Sequence, residues 1–251
     1  MQSEIEIGVY ARSKTMIGIK KGTEPQDLTR LRQSTEAEGL SPREAYRRLR
    51  NPLKEQVRQS LIQEQGGLCA YCMCRIPRED VDPNIAPIII EHIIPRVPVD
   101  GRDVGQGLDY NNLLAVCHGN KASYGEHQFI DLTCDAHRGN TEFRKINPCI
   151  PETLSSIVYS VDGKIDAIDP DVRFDLVDTL NLNCPSSPLI AERKSALDSL
   201  IDELGNVTEE NILDYCIMIL SEFRAETEQK TPYVGILIWY LESLITTLSS
   251  T

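Results

Sequence analysis

The sequence predicts an α+β fold, mainly helical, in which a small metal-stapled core lies between N-terminal helices and a C-terminal helical subdomain. Three observations lead there. Cys69, Cys72, Cys117 and Cys134 stand at metal-ligand positions mid-chain. Between them, Ile88-Ile89-Ile90 is a short β-branched run that ends in Glu91-His92. Past Pro188, three apolar stretches with a polar cap or a proline nearby read as helices.

A chain of 251 residues can bury a substantial core, as one large domain or two small ones. With 41% hydrophobic and 25% charged residues it falls in the ordinary globular range. The N-terminal stretch lacks a signal-type apolar core. The longest apolar run, near Val234 to Leu241, is far short of the roughly 20 residues a membrane span needs. A cytoplasmic protein is expected, with no membrane partner, and there eight cysteines read as metal ligands or buried thiols rather than disulfides.

The net charge of −12 argues against a free-standing, non-specific nucleic-acid binder, because Lys and Arg supply most of that affinity. Residues 1–150 carry 20 basic and 20 acidic side chains, whereas 151–251 carry 6 and 18. The cysteine-bearing part is therefore neutral, and the acidic remainder suits a protein partner or solubility.

Three regions follow: 1–65, 66–150 and 151–251. Residues 1–15 have no clear period and read as a short strand or an extension, and Met16 to Gly22 is a second start-like segment. Pro25 opens a short helix through Leu28 and Leu31. Ser41-Pro42 is an N-cap followed by proline at the first helical position, and Asn51-Pro52 repeats it, which predicts helices over 42–50 and 52–65. Leu53, Val57 and Leu61 form the buried stripe of the second. Arg43, Arg47, Arg48, Arg50, Lys54 and Arg58 read either as a solvated face or as a grip on phosphates.

Gly66-Gly67 ends that helix and leads into Cys69-x-x-Cys72, a tight turn that puts two sulfurs on one ion. Pro83 and Pro87 frame a loop before the isoleucine strand. Residues 96–108 read as loop, Leu113 to Val116 as a strand or helix start, 118–133 as a polar loop, and Cys134 as the start of a short helix. Val158 to Ile165 is a hairpin about Asp162-Gly163. Helices are expected over Leu189–Leu204, Thr208 to about Thr227, and Tyr233–Leu248.

Structural zinc takes four Cys or His ligands in a tetrahedron, usually as two pairs from two tight turns. Cys69 and Cys72 are the first pair. Cys117 and Cys134 are the second, although 16 residues separate them where two are usual; Cys74, His118, His127 or His137 could each replace one ligand. A lone Cys-x-x-Cys is also a redox motif, but the strand-then-helix context of such sites is missing. His92 alone reads as a core histidine. Its place inside the cysteine set, with Asn112-Leu113 twenty residues on and Asp135 directly after the last cysteine, favours a catalytic role.

These residues resemble the HNH endonucleases, whose pattern runs Cys-x-x-Cys, Asp/Glu-His, Asn-Leu with a following Cys, then Cys-Asn/His/Asp and a basic residue. Leu-Asp-Tyr-Asn-Asn-Leu-Leu-Ala-Val-Cys117 and Cys134-Asp-Ala-His-Arg-Gly-Asn140 are similar to the PtuB-like HNH component of Septu antiphage systems, including those attached to retrons. The likeness touches most of 16–245, with specific motifs only in the central 70 residues. It implies a ββα-metal core with zinc on Cys69, Cys72, Cys117 and Cys134. It also implies His92 as general base, Asn112 orienting His92 or tying down its loop, and Glu91 with Asp135 holding Mg²⁺ or Mn²⁺. Asp135 replaces the third-letter histidine, and Arg138 stands where lysine is frequent, as a phosphate holder. The implied partners are an ABC- or AAA-type ATPase (PtuA-like), a retron RNA-DNA with its reverse transcriptase, and a DNA or tRNA substrate. Two other readings compete: a zinc-stapled non-catalytic interaction module or ATPase adaptor, and a redox protein built on Cys69 and Cys72. Neighbours on a strand point to opposite faces, so Glu91 and His92 share a site only where the strand bends.

Overall fold

The computed structural model describes residues 18–78, 87–97, 100–101, 107–120 and 129–250. The N-terminal segment 1–15, most of the Pro83–Pro87 loop and His127 lie outside them. The fold is α+β, roughly half helical, with two small antiparallel sheets. Among the described residues no helix is long and apolar enough to cross a membrane.

Helix α1 spans Gln26–Ala37, six residues past Leu31, because Leu28 and Thr35 both turn into the core. Helix α2 (Pro42–Arg48) starts on a capping box: the Glu44 amide donates to Ser41 Oγ at 3.4 Å, and the Ser41 amide donates back to Glu44 Oε2 at 3.1 Å. Helix α3 (Leu53–Glu64) buries Val57 and Leu61. It stops at Gly66 and Gly67, whose positive φ lets the Gly67 amide fold back onto the Ile62 carbonyl at 2.9 Å.

Strand β1 (Ile89–His92) pairs antiparallel with β2 (Leu113–Val116), Glu91 opposite Leu114 and His92 opposite Leu113. All four β2 side chains are buried, which explains its unbroken apolar run. The outer edge of β2 is closed by a side chain: Gln65 Nε2 donates to the Ala115 carbonyl at 2.7 Å and to that of Leu68 at 2.8 Å, and the Ala115 amide donates to Gln65 Oε1 at 2.8 Å. One amide thus joins the end of α3, the cysteine turn and the sheet. Helix α4 (Cys134–Arg138) follows.

Strands β3 (Ile157–Tyr159) and β4 (Ile165–Ala167) form the hairpin about Asp162-Gly163. Helix α5 (Pro170–Phe174), continued by a π turn over Asp175–Thr179, escapes the sequence reading because its short Asp-rich run resembles loop. Buried Asp175 explains the turn, accepting the amides of Arg144, Lys145 and Ile146 at 2.8–2.9 Å. Helices α6 (Leu189–Leu204), α7 (Ile212–Ala225) and α8 (Val234–Leu248) complete the chain. Helix α7 starts four residues after Thr208 because Asn211 closes a turn on Thr208, through its amide at 3.0 Å and its side chain at 2.9 Å.

The segment joining α7 to α8 grips the cysteine turn. The Tyr233 amide donates to the Met73 carbonyl and the Lys230 amide to that of Gly66, both at 2.9 Å, while Arg75 reaches the Lys230 carbonyl. One contiguous apolar core runs from Ile19 to Leu241.

Candidate active site and metal centre

Cys69 and Cys72 sit in a reversed turn closed by the Cys69 amide on the Cys74 carbonyl at 2.9 Å. Met73 takes a positive φ of 60° at its tip. Cys117 leaves the end of β2, and its amide donates to Cys69 Sγ at 3.4 Å. Cys134 opens α4, anchored by its amide on the Leu180 carbonyl at 2.8 Å. The four sulfurs are buried and lie within 4.8 Å of one another.

A metal fits this geometry. With Zn–S bonds of about 2.3 Å, a tetrahedron sets its sulfurs about 3.8 Å apart. The Cys72–Cys117 and Cys117–Cys134 separations are both 3.7 Å. Hydrogen bonding from Cys134 holds the Cys117 thiol down to about 6, so the cluster already favours a thiolate. The alternative ligands separate accordingly. Cys74 packs beside the set, and His137 points away, its Nδ1 3.0 Å from the Thr179 carbonyl and its ring stacked on Phe129.

The 16-residue gap before Cys134 has a structural answer. The loop leaves and returns through a closed neck: the Thr133 amide donates to the Gly119 carbonyl at 3.1 Å, and Asn120 Nδ2 to the Asp131 carbonyl at 2.7 Å. Gly119 has φ +56°, and a Cβ there would sit 1.9 Å from the Thr133 oxygen. The described ends of this segment are thus tied to each other, which brings the Cys117 and Cys134 sulfurs to 3.7 Å.

Glu91 and His92 are the last two residues of β1. Strand β1 stops at His92, where its alternation of faces also stops. Both side chains are buried, Glu91 7% and His92 4% exposed. His92 Nε2 lies 3.0 Å from the Gly107 carbonyl, which only accepts, so Nε2 carries the proton and Nδ1 the lone pair. Tyr46 meets the ring edge-on at 4.9 Å. Burial, with Arg96 and Arg138 nearby, pushes the imidazole from the ordinary 6.5 down to about 3, so it is neutral at physiological pH.

Glu91 is pushed up to about 8, first by burial and then by the charge of Asp135, whose carboxyl lies within hydrogen-bonding reach; Arg138 opposes the shift. Glu91 and Asp135 are thus adjacent carboxyl groups, one buried and already paired with Arg138, the other half-buried. Asn112 clamps the loop after His92: the Ile94 amide donates to Oδ1 at 2.8 Å and Nδ2 donates to the Ile94 carbonyl at 3.0 Å, while the Ile93 amide reaches the Asn112 carbonyl at 2.9 Å. Asn112→Ala is expected to cost about 1 kcal/mol, since water can replace part of the clamp at half-exposed Ile94. Faster amide exchange at Ile94 is the check.

Arg138 requires a correction. The sequence assigned it to a phosphate, yet its side chain is fully buried and occupied: it pairs with Glu91 and donates to Tyr71 Oη at 3.1 Å and to the carbonyls of His92 (2.9 Å), Ile93 (2.6 Å) and Thr141 (2.9 Å). Its guanidinium also stacks on Phe143 at 4.0 Å. A guanidinium so engaged is a tie between α4 and the end of β1. Arg138→Met should cost about 3 kcal/mol in urea unfolding, because it strands a buried acid, and adding Glu91→Gln should recover part of that loss.

Sequence reasoning missed Tyr71, Tyr46 and Arg96. Tyr71 sits inside the first ligand turn and its hydroxyl donates to Glu91 Oε1 at 3.3 Å, coupling the thiol cluster to the carboxylate. Its place between Cys69 and Cys72 was the available signal. A scan of the chain against protein-family models finds no match, and a search of the curated proteins finds none either.

Proposed function

We propose that this chain is a metal-dependent endonuclease of the HNH type that hydrolyses nucleic-acid phosphodiester bonds, working in an antiphage complex with an ATPase of the Septu or retron-associated kind. The observation that carries the reading is the convergence of Asp135 with Glu91 at the end of a two-stranded sheet, one residue from a neutral histidine and next to a four-cysteine staple. That order of groups is what the sequence resemblance implies.

In this reading the cysteine staple, holding zinc, fixes β2, the first turn and α4 against one another. Glu91 and Asp135 would hold Mg²⁺ or Mn²⁺, which supplies charge neutralisation at the scissile phosphate and leaving oxygen. His92 takes the proton of the attacking water at Nδ1, Nε2 being fixed by Gly107. A phosphate arriving beside Arg96 offsets one of the charges that depress His92 and makes it a stronger base when substrate is present. Asn112 keeps the loop beyond His92 in place, and Arg138 with Tyr71 holds Glu91.

The acidic segment 151–251 would dock the ATPase, with Ile217 and Met218 exposed on α7. One observation favours the adaptor reading: Glu91 already has a full partner in Arg138, as a purely structural carboxylate would. Incubation with DNA and with tRNA in Mg²⁺ or Mn²⁺, with and without the ATPase, decides between them. Cleavage in any arm supports the nuclease, and intact substrate in all arms supports the adaptor.

A further inference from the structure

We infer that Lys54 and Arg96 form a phosphate cradle around Tyr46 that holds a nucleic-acid strand against the His92 site. The inference rests on the nuclease reading and supplies the substrate grip that buried Arg138 does not. Lys54 Nζ lies over the Tyr46 ring at 5.6 Å and the Arg96 guanidinium over it at 4.2 Å, while the same ring meets His92 edge-on at 4.9 Å. Neither Lys54 nor Arg96 has a carboxylate partner among the described residues. Arg58 pairs with Glu55 at 3.0 Å, yet its Nε is buried with nothing to donate to.

Lys54 and Arg96, which have no such partner, and the nearby Arg58 repel one another. The Lys54 ammonium is accordingly held below its ordinary value, by burial first and then by Arg58, Arg50 and Arg96. Such a cluster is relieved by an anion, and its neighbours define which one. The Tyr46 ring that carries Lys54 and Arg96 also meets His92, so an anion held by these two cations lies beside the His92 site, and on the nuclease reading that anion is a phosphodiester. A guanidinium stacked on a ring keeps its N–H fork free for phosphate oxygens, and contacts of this kind read the backbone rather than the bases. The strand recognised is therefore DNA or RNA without marked sequence preference.

The test is fluorescence anisotropy with labelled DNA and RNA strands of one sequence, in buffer without divalent cations, over a range of salt. Lys54→Met and Arg96→Met are combined, since methionine keeps the apolar stem on Tyr46 and removes the charge. Arg30→Met, on exposed α1, is the control. The double variant should bind roughly tenfold more weakly, and its salt slope should fall by about 1.4, at about 0.7 per cation on a single strand. Unchanged zinc content and melting would show that it is folded. Equal affinity and slope in the double variant, or no binding by the wild-type chain, overturns the cradle. Binding that depends on both residues in a chain that never cuts overturns the nuclease reading and leaves the cradle standing.

Discussion

Cys117→Ser is expected to lose the bound zinc and, with it, the folded core. Cys117 is the sulfur that lies 3.7 Å from both Cys72 and Cys134, so removing it breaks the set at its centre. Structural zinc contributes about 10–16 kcal/mol of apparent binding energy, which matches or exceeds the whole stability of a typical domain at about 5–15 kcal/mol. The dependent contacts are identifiable. Tyr71 in the first turn and Arg138 at the end of α4 both reach Glu91, and the Met73 carbonyl receives the amide of Tyr233, just before α8. Elemental analysis should find one zinc per chain in the wild type and none in Cys117→Ser, with unfolding by a chelator at a temperature the untreated protein survives. Cys74→Ser is the discriminating control: Cys74 is outside the four, so zinc should stay and stability should fall by no more than about 2 kcal/mol. Loss of zinc from Cys74→Ser with retention in Cys117→Ser would reverse the ligand assignment.

Legibility in the sequence followed the range of the interactions involved. Local chemistry was readable: Ser41-Pro42 as a helix start, Asp162-Gly163 as a turn, the isoleucine run as a strand, and Cys69-x-x-Cys72 as half of a metal site. The partner cysteines were readable as residue types, but their closeness depends on a Gly119 backbone and an Asn120–Asp131 bond that no spacing rule announces. Arg138 was misread because charge in a sequence says nothing of burial, and only the fold shows that its donors are taken up by Glu91, Tyr71 and three carbonyls. The depressed basicity of His92 was likewise hidden, since it comes from burial and from Arg96 and Arg138, brought in by other elements. Tyr46 and Arg96 lie 50 residues apart and meet only because α2 packs against the loop after β1. Helix α5 and its π turn were lost because three amides on Asp175, rather than any apolar period, hold them.

His92→Ala is the second large effect. On the nuclease reading it removes the general base, which costs about 10²- to 10⁴-fold in rate. Its structural cost is smaller: the lost ring contact with Tyr46 and the bond to Gly107 together amount to about 3 kcal/mol, with zinc unaffected. The two effects are therefore separable, which a buried structural histidine would not allow. The most direct measurement is the cleavage rate of DNA and tRNA by the ATPase-bound chain in Mg²⁺ or Mn²⁺, wild type against His92→Ala at equal zinc content. The nuclease account predicts cleavage by the wild type and a loss of at least roughly a hundredfold in the variant; equal rates, or no cleavage by either, would contradict it.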